Sequence, residues 1–392
     1  MLLPEYGVRS LAEVLPAALR ALGLPARADG LELAPSRAVA LLLVDGLGAQ
    51  LLREHAADAP FLAGLADLGP LTVGFPSSTP ISLASLGTGL PPGAHGMLGV
   101  SFRAPGGELL DSLKWTTAGT ADPIDLIGAE PPERVQPQPT AFERAEAAGA
   151  RVTVVSKREF AGSGLTRAAL RGGRFRGAFA LGDLAAEMVD ALDGPGPALC
   201  YGYTADLDGL GHLHGPGSLA WRMQLRQVDR LAADIAERVP PGTTLLVTGD
   251  HGMVTATVRF DADTDQELQR GVAALGGDPR ARHVYARPGA QADVLAAWQA
   301  RLGEHAWVVS GEQAIADGWF GPVTDGMRPR IGDVVAAMRG TACVVRSEAE
   351  PVLARLPGQH GSLTAEEQLV PLLVHVNLDM SEVSDVKLRR AR

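Results

Sequence analysis

The stretch Ala-Val-Ala-Leu-Leu-Leu-Val-Asp-Gly-Leu-Gly (38–48) is an apolar run that stops at an aspartate and a glycine turn. A continuous apolar run without alternation is typical of a strand covered on both faces, as in a parallel sheet between helices. Similar runs occur at 152–156, 198–203 and 244–247, and segments with helical periodicity lie between them. This alternation predicts an α/β three-layer sandwich with a mainly parallel central sheet.

The length of 392 residues suits one large α/β domain, 1–392, with an insertion. Residues 98–135 are punctuated by Gly and Pro and lack periodicity, which predicts a loop-rich excursion over the site. Residues 282–347 alternate short strand-like and helical segments, with a helix expected at 331–338, and predict a small inserted α+β subdomain. Helical periodicity also predicts a helix through 49–66.

Composition limits the class of partner. The chain has 35 basic and 45 acidic residues, a net charge of −10, and no Lys/Arg cluster stands out beyond the tail Lys387–Arg392, a predicted solvated end. This argues against a nucleic acid polymer as partner. No apolar run of about 18 residues occurs, so no membrane span is expected. The N-terminus lacks signal-peptide features, which predicts a cytoplasmic protein. Cys200 and Cys343 lie in apolar runs and are expected to be buried free thiols.

Acidic and histidine side chains stand at turn-like ends of several apolar runs. Because the carboxyl ends of parallel strands meet at one edge of a sheet, we expect these side chains to converge there. Carboxylates and imidazoles gathered at one edge are typical of a metal site. The segment 206–216 also contains Asp206 and His214 as alternative ligands. The predicted ligands are Asp45, Asp208, His212, Asp250, His251 and His360.

Some of these residues also have a purely structural interpretation. Asp45 could cap the helix that follows it. Gly46-Leu-Gly48 is how a dinucleotide-binding fingerprint begins, but Leu51 stands in place of its third glycine, which disfavours that class.

A hydroxyl-rich segment, Phe75-Pro-Ser-Ser-Thr-Pro-Ile-Ser82, leads from a predicted strand into a predicted helix. A hydroxyl at the N-terminus of a helix meets unpaired N–H groups and the positive end of the helix dipole, so it suits oxyanion chemistry. The structural alternative is a helix cap with Pro80 at the first helical position. Both can be true of Thr79.

Taken together, these segments resemble the alkaline phosphatase superfamily, and most closely its nucleotide pyrophosphatase/type I phosphodiesterase branch. The motifs follow in the family's order between residues 41 and 361. The resemblance implies two divalent metal ions, with zinc expected. It implies Asp208, His212 and His360 for one ion, and Asp45, Asp250 and His251 for the other. Thr79 would be the nucleophile on the second ion, with Ser77 and Ser78 as second choices.

The activity implied is cleavage of phosphodiester or pyrophosphate bonds in small nucleotide-like esters through a phosphothreonine intermediate. Alternatives are a phosphomonoesterase or a phosphonate hydrolase on the same site, and, from another class, a non-catalytic ligand-binding protein that keeps the fold. Ser82, Lys114 and Lys157 are candidate contacts for the small-molecule phosphate ester. The sequence predicts no oligomeric state.

Overall fold

The apolar run Ala38–Val44 is the central strand of a seven-stranded sheet in the computed structural model, which describes residues 1–27 and 30–377. It lies between two parallel neighbours, and Val44 is level with Gly249 on one side and Thr204 on the other. The tail Lys387–Arg392 lies outside the described residues. Across the sheet the strands follow the order Ala66–Asp67, Leu372–Asn377, Thr243–Gly249, Ala38–Val44, Ala198–Thr204, Arg151–Lys157 and Arg174–Ala178.

Within this sheet only Leu372–Asn377 runs antiparallel to its neighbours, among the residues described. Alternate residues of Ala38–Val44 enter two different cores, with Leu41 facing one and Leu42 the other. One face is covered by helices Val14–Ala21, Thr79–Thr88 and Ala141–Ala147, and the opposite face by Ala49–Glu54, Leu181–Leu192 and Leu219–Arg238. The predicted three-layer α/β sandwich with a mainly parallel sheet is therefore confirmed.

A second, antiparallel sheet has a hydrophobic core of its own. The helix Gln291–Leu302 packs in that core through Val294 and Trp298. The helix expected at 331–338 is wrong, because Val334–Met338 is a strand paired on both sides. Two strand partners decide its conformation, and a periodicity count along the chain does not detect them. The sheet order is Val272–Asp278, Ala281–Ala286, Val334–Met338 and Ala306–Ser310.

The helix expected through 49–66 is interrupted. It ends at Glu54, and a separate turn of helix begins at Pro60, whose missing N–H cannot continue a helical ladder. The segment 98–135 contains a small three-stranded antiparallel sheet and one helical turn. Its elements are Ser101–Arg103, Leu109–Asp111, Thr116–Thr117 and Pro132–Val135.

The remaining described elements are short, apart from one helix that carries two predicted ligands. The remaining helices are Pro60–Ala63, Pro92–His95, Gly164–Ala169, Asp206–His214, Gln266–Gln269, Gly311–Ala316 and Ala365–Gln368. The remaining strands are Leu71–Thr72, Val254–Thr255, Val258–Asp261, Ala342–Val345, Gly358–Gln359 and Leu369–Val370. Cys200 and Cys343 are buried and free, as predicted. None of the helices in the described part of the chain is long and apolar enough to cross a membrane.

A buried ion pair joins the second sheet to the main domain. Arg280, in the hairpin of the second sheet, places its Nε 2.9 Å from Glu367 Oε1, and both side chains are completely buried. The same Glu367 oxygen accepts a 3.0 Å hydrogen bond from the Ser362 N–H. Since a buried charge needs its partner in place, this pair fixes the hairpin against the chain just after His360.

Candidate metal and phosphoester site

The predicted ligands meet at the carboxyl edge of the central sheet. Asp45 and Asp250 directly follow the neighbouring strands Ala38–Val44 and Thr243–Gly249. Gly46 has a φ of +75°, and a Cβ there would lie 3.0 Å from the Asp208 Cα, so glycine lets this turn approach Asp208 closely. The Gly46 N–H also donates to Asp250 Oδ1 at 2.9 Å. The turn after the central strand thus positions two other carboxylates.

Asp208, His212 and His360 form the first cluster. Asp208 and His212 are one turn apart on the helix Asp206–His214, with His212 Nε2 3.4 Å from Asp208 Oδ2. His360 follows the short strand Gly358–Gln359 and places its Nε2 3.2 Å from His212 Nε2. One ligand atom from each of the three residues lies within 4.8 Å of the others. The structure therefore brings together all three residues that the resemblance assigns to one ion.

Asp45, His251 and Thr79 form the second cluster. His251 Nε2 lies 3.4 Å from Asp45 Oδ1 and 3.3 Å from Thr79 Oγ1. Asp250 Oδ2 is 3.6 Å from the same nitrogen. Asp208 shares this cluster, since its carboxylate lies within 4.8 Å of ligand atoms of Asp45 and His251. The rings of His251 and His360 stack with centroids 3.6 Å apart, so the two clusters adjoin.

All three histidines present Nε2 to the site for the same reason. His212 Nδ1 lies 2.8 Å from the Gly358 carbonyl oxygen. His251 Nδ1 lies 3.0 Å from the Gly252 carbonyl oxygen, and His360 Nδ1 lies 2.9 Å from that of Ser77. A carbonyl oxygen only accepts, so each Nδ1 carries the hydrogen that it donates. The neutral ring then has a lone pair on Nε2, which is the arrangement of metal-binding histidines.

Two buried carboxylate oxygens without a hydrogen-bond partner also indicate that the site binds a cation. Asp208 Oδ1 and Asp250 Oδ2 have no hydrogen-bond partner among the described residues. Burial, with the charges of Asp250 and Asp208 added, raises the pKa of Asp45 well above its usual range. Burial and the neighbouring imidazoles of His251 and His212 lower the pKa of His360 well below its usual range. A divalent cation would satisfy these atoms, and carboxylate and imidazole donors fit zinc.

Tyr203 is a site residue that the sequence did not reveal. Its hydroxyl donates to Asp45 Oδ2, which leaves Oδ1 facing His251. It is in the strand Ala198–Thr204, level with Leu43 of the central strand. Burial and the Asp45 charge raise the pKa of Tyr203 well above its usual value, so it stays a neutral donor. Only the register between the strands would have identified it.

The hydroxyls of Ser77 and Ser78 are occupied elsewhere. Ser77 Oγ donates to the Ser362 carbonyl at 2.9 Å, and Ser78 Oγ donates to Asp278 Oδ1 at 2.8 Å. Both side chains are fully buried, whereas Thr79 is partly exposed beside His251. Of the three hydroxyls, Thr79 Oγ1 is the one that adjoins the clusters.

The predicted substrate contacts lie in different settings. Ser82 is fully buried and donates to the Asp250 carbonyl at 2.6 Å, so its hydrogen is not available to a phosphate. Lys114 is 74% exposed on the 98–135 segment and lies 4.0 Å from Asp111. Lys157 lies 2.7 Å from Asp206 and lines a cleft next to Tyr203. Of the three, Lys157 is the contact that we retain.

The alternative ligands of the 206–216 segment belong to neither cluster. Asp206 pairs with Lys157, and His214 is exposed at the end of its helix. Neither side chain belongs to a group of potential metal ligands in the described part of the chain.

Comparisons with known proteins agree with this geometry. Residues 39–363 match the family model for type I phosphodiesterase/nucleotide pyrophosphatase. Murine ectonucleotide pyrophosphatase/phosphodiesterase 5 has a similar structure, with a TM-score of 0.65 at 17% identity over 86% of this chain and 88% of that one. Phosphonoacetate hydrolase from Sinorhizobium meliloti 1021, in complex with phosphonoformate, has a TM-score of 0.65 at 21% identity over 88% of this chain and 91% of that one.

One curated relative matches part of the chain. The catalytic subunit of GPI ethanolamine phosphate transferase 3 from Mus musculus is 32% identical over 95 residues. The match covers 24% of this chain and 8% of that protein, so the chain corresponds to only a small part of that relative's length.

The two solved structures share the fold of this chain, and that fold is the one the sequence resemblance predicted. More narrowly, the family model covers most of the chain, so the chain belongs to the type I phosphodiesterase/nucleotide pyrophosphatase family.

We predict that Tyr203→Phe weakens metal binding by about 10-fold to 100-fold, because groups that orient metal ligands have effects of this size. The substitution removes one hydroxyl and frees Asp45 Oδ2. Zinc affinity is measured by competition with a chromogenic chelator. The control is Tyr285→Phe, since the buried Tyr285 hydroxyl donates to the Arg330 carbonyl, away from the site. Equal zinc affinity in Tyr203→Phe and the wild type would contradict the prediction.

Proposed function

We propose that the protein is a two-metal hydrolase that cleaves phosphodiester or pyrophosphate bonds of small nucleotide-like esters, with Thr79 as nucleophile. The observation that carries the metal dependence is the 3.2 Å approach of His360 Nε2 to His212 Nε2. Both rings donate from Nδ1, so two lone pairs face each other. While both rings are neutral this contact is repulsive, and a cation that lies against both nitrogens removes the repulsion.

The ligands form the two groups that the resemblance implies, except that Asp208 is close enough to contribute to both. Asp208, His212 and His360 would hold one ion, and Asp45, Asp250 and His251 the other, beside Thr79. Asp208 lies within reach of both clusters. Bound zinc would supply positive charge that stabilises the threonine alkoxide and the leaving oxygen.

The chain's own residues prepare Thr79 for attack. Its Oγ1 lies 3.3 Å from His251 Nε2 and 3.4 Å from Asp45 Oδ2, so two potential proton acceptors face the hydroxyl. It begins the helix Thr79–Thr88, whose N-terminal dipole favours negative charge on a bound phosphate. Attack on phosphorus by Oγ1 would form a phosphothreonine and expel the ester oxygen of the leaving group. Water would then attack the phosphothreonine, release the phosphate monoester that keeps the remaining ester group, and restore the hydroxyl.

A small cleft of about 40 Å³ lies beside the second cluster, and its lining residues are where we place contacts to the substrate beyond the phosphate. Its lining includes Tyr203, Thr204, Lys157 and Phe179. Lys157 is paired with Asp206 through one of its three N–H groups, which leaves two for an anionic part of the substrate, and Phe179 is 78% exposed with Arg158 over its ring. These contacts support a small ester with a planar or anionic portion.

The cytoplasmic location remains a prediction.

Phosphonate hydrolysis is the second candidate. The basic Lys157 beside the site would suit the carboxylate of a small phosphonate, and the Sinorhizobium meliloti hydrolase shares the fold. A non-catalytic role is disfavoured because all six predicted ligands and Thr79 come together. Phosphomonoesterase activity is tested with the same substrates.

We expect the zinc-loaded protein to hydrolyse bis-p-nitrophenyl phosphate and nucleotide pyrophosphates with higher kcat/KM than p-nitrophenyl phosphate or phosphonoacetate. The reason is that the cleft gives a second ester group its own contacts. Initial rates across the four substrates measure the order. A preference for phosphonoacetate would select the second candidate. No turnover of any of the four would support the non-catalytic alternative.

We predict that Thr79→Ala lowers kcat by more than about 1,000-fold and leaves the metal content unchanged, because the attacking oxygen is lost while the six ligands remain. Rates are followed with the best substrate, and metal by elemental analysis. Thr88→Ala is the control, since its hydroxyl donates to the Ala84 carbonyl at the other end of the same helix. Near-normal activity of Thr79→Ala would move the nucleophile to Ser77 or Ser78.

Chelation should abolish turnover without unfolding the protein, and zinc should restore turnover better than magnesium. Three imidazole nitrogens are poor ligands for magnesium, which prefers oxygen, and good ligands for zinc. Activity is measured after dialysis against a chelator and again after each metal is added, with circular dichroism as the control for folding. Full recovery with magnesium alone would be evidence against the zinc assignment.

A further inference from the structure

The hairpin of the second sheet brings a buried carboxylate against the segment that carries Thr79. Asp278 is 3% exposed and ends the strand Val272–Asp278. Its Oδ1 accepts a 2.8 Å hydrogen bond from Ser78 Oγ, and its Oδ2 a 3.4 Å bond from the Val100 N–H. Its side chain therefore joins the second sheet to the residue before the nucleophile.

Helix capping does not explain this hydrogen bond. Ser78 is the N-cap residue of the helix Thr79–Thr88, where a serine oxygen normally accepts from a backbone N–H of the first turn. Here the side chain makes no capping bond and donates to Asp278 instead. The chain thus gives up a local stabilising contact for a bond to a residue 200 positions away.

Stability does not explain the carboxylate either. Asp278 forms no ion pair within the described part of the chain, and burial raises its pKa to about 6. A buried charge without an ion-paired partner is destabilising. Any role of the Asp278 carboxylate therefore depends on its two hydrogen bonds, to Ser78 and to Val100.

The Ser77–Ser78 backbone connects this contact to both clusters. The Ser77 carbonyl accepts from His360 Nδ1, and Thr79 follows Ser78 directly. Asp278 also packs against Gly361, where an added Cβ would lie 3.0 Å from the Asp278 Cβ. A displacement of Ser78 would therefore move the nucleophile and one imidazole.

We infer that Asp278 is a positioning residue, which fixes Thr79 for attack through the Ser78 hydroxyl. This inference rests on the proposed function. It assigns no proton transfer and no substrate contact to Asp278. Misplacement of a reacting group by about 1 Å can lower a rate about 100-fold, so a tether next to the nucleophile has a measurable effect.

The test is a double-mutant cycle in the zinc-loaded, full-length protein. Asp278→Ala and Ser78→Ala should each lower kcat about 100-fold and leave KM within about threefold, because alignment and not binding is lost. The double variant should lose no more than either single variant, because both remove the same bond. Asp278→Asn keeps an acceptor oxygen for Ser78 and should keep kcat within about fivefold of wild type.

The control is Asp333→Asn, whose Oδ2 accepts from the Ala286 N–H elsewhere in the same sheet, and wild-type kcat is expected for it. Hydrogen exchange of residues 75–90 should increase in Asp278→Ala and Ser78→Ala only. This second measurement still tests the tether if the wild type hydrolyses none of the substrates, a result that would refute the proposed function alone.

Multiplicative losses in the double variant, or wild-type kcat with unchanged exchange in Ser78→Ala, would overturn the inference. If Asp278→Ala does not fold, Ser78→Ala and Asp278→Asn decide, because each alters only the end of one side chain.

Discussion

The site depends on the register of three parallel strands. Val44, Gly249 and Thr204 end level with one another, so the chain segments that follow leave the sheet at the same height. Asp45 is anchored there because its N–H donates to the Thr204 carbonyl at 3.0 Å. A shift of one residue in either pairing would turn Asp45 to the other face of the sheet. The proposed ligands Asp45 and Asp250 are therefore placed by the hydrogen-bond ladder of the central strand, and the helix that carries Asp208 and His212 begins just after the third strand.

The convergence that this register imposes is unfavourable in the isolated protein. Burial and, after it, the charges of the neighbouring carboxylates raise the pKa of Asp45, and two imidazole lone pairs face each other. The surrounding backbone holds the groups in place despite this repulsion. Each imidazole is oriented by a carbonyl oxygen, and the buried pair of Arg280 and Glu367 fixes the chain after His360. The repulsion is removed by a cation, so the same geometry that opposes folding favours metal binding.

Much of the fold and of the candidate site could be predicted from the sequence. The physical reasons for this also explain why other features could not be predicted. The run 38–48 specifies a buried strand through its own composition, and a ligand that directly follows such a strand inherits its position. Tyr203 and Asp278 could not be found in this way, because their partners Asp45 and Ser78 are 158 and 200 residues distant. No local pattern records such a contact.

The errors in the sequence analysis have the same origin. The segment 331–338 was expected to be helical, and two neighbouring strands make Val334–Met338 a strand instead. Ser82 has the residue type of a phosphate contact, but packing turns its hydroxyl toward the Asp250 carbonyl. In both cases the chain itself allows two outcomes, and contacts distant in sequence choose between them.

The second sheet makes direct contacts with the segments that carry the candidate site. Its hairpin meets the main domain through buried polar groups that include Arg280 on Glu367, Asp278 on Ser78, and His283, whose Nε2 lies 2.7 Å from the Leu98 carbonyl. The three contacts reach the segments that carry His360, Thr79 and the start of the 98–135 excursion. Substitutions of Arg280 or Asp278 would therefore affect the candidate site, because each side chain holds a segment that adjoins one of its residues, and a buried polar group that loses its partner is costly.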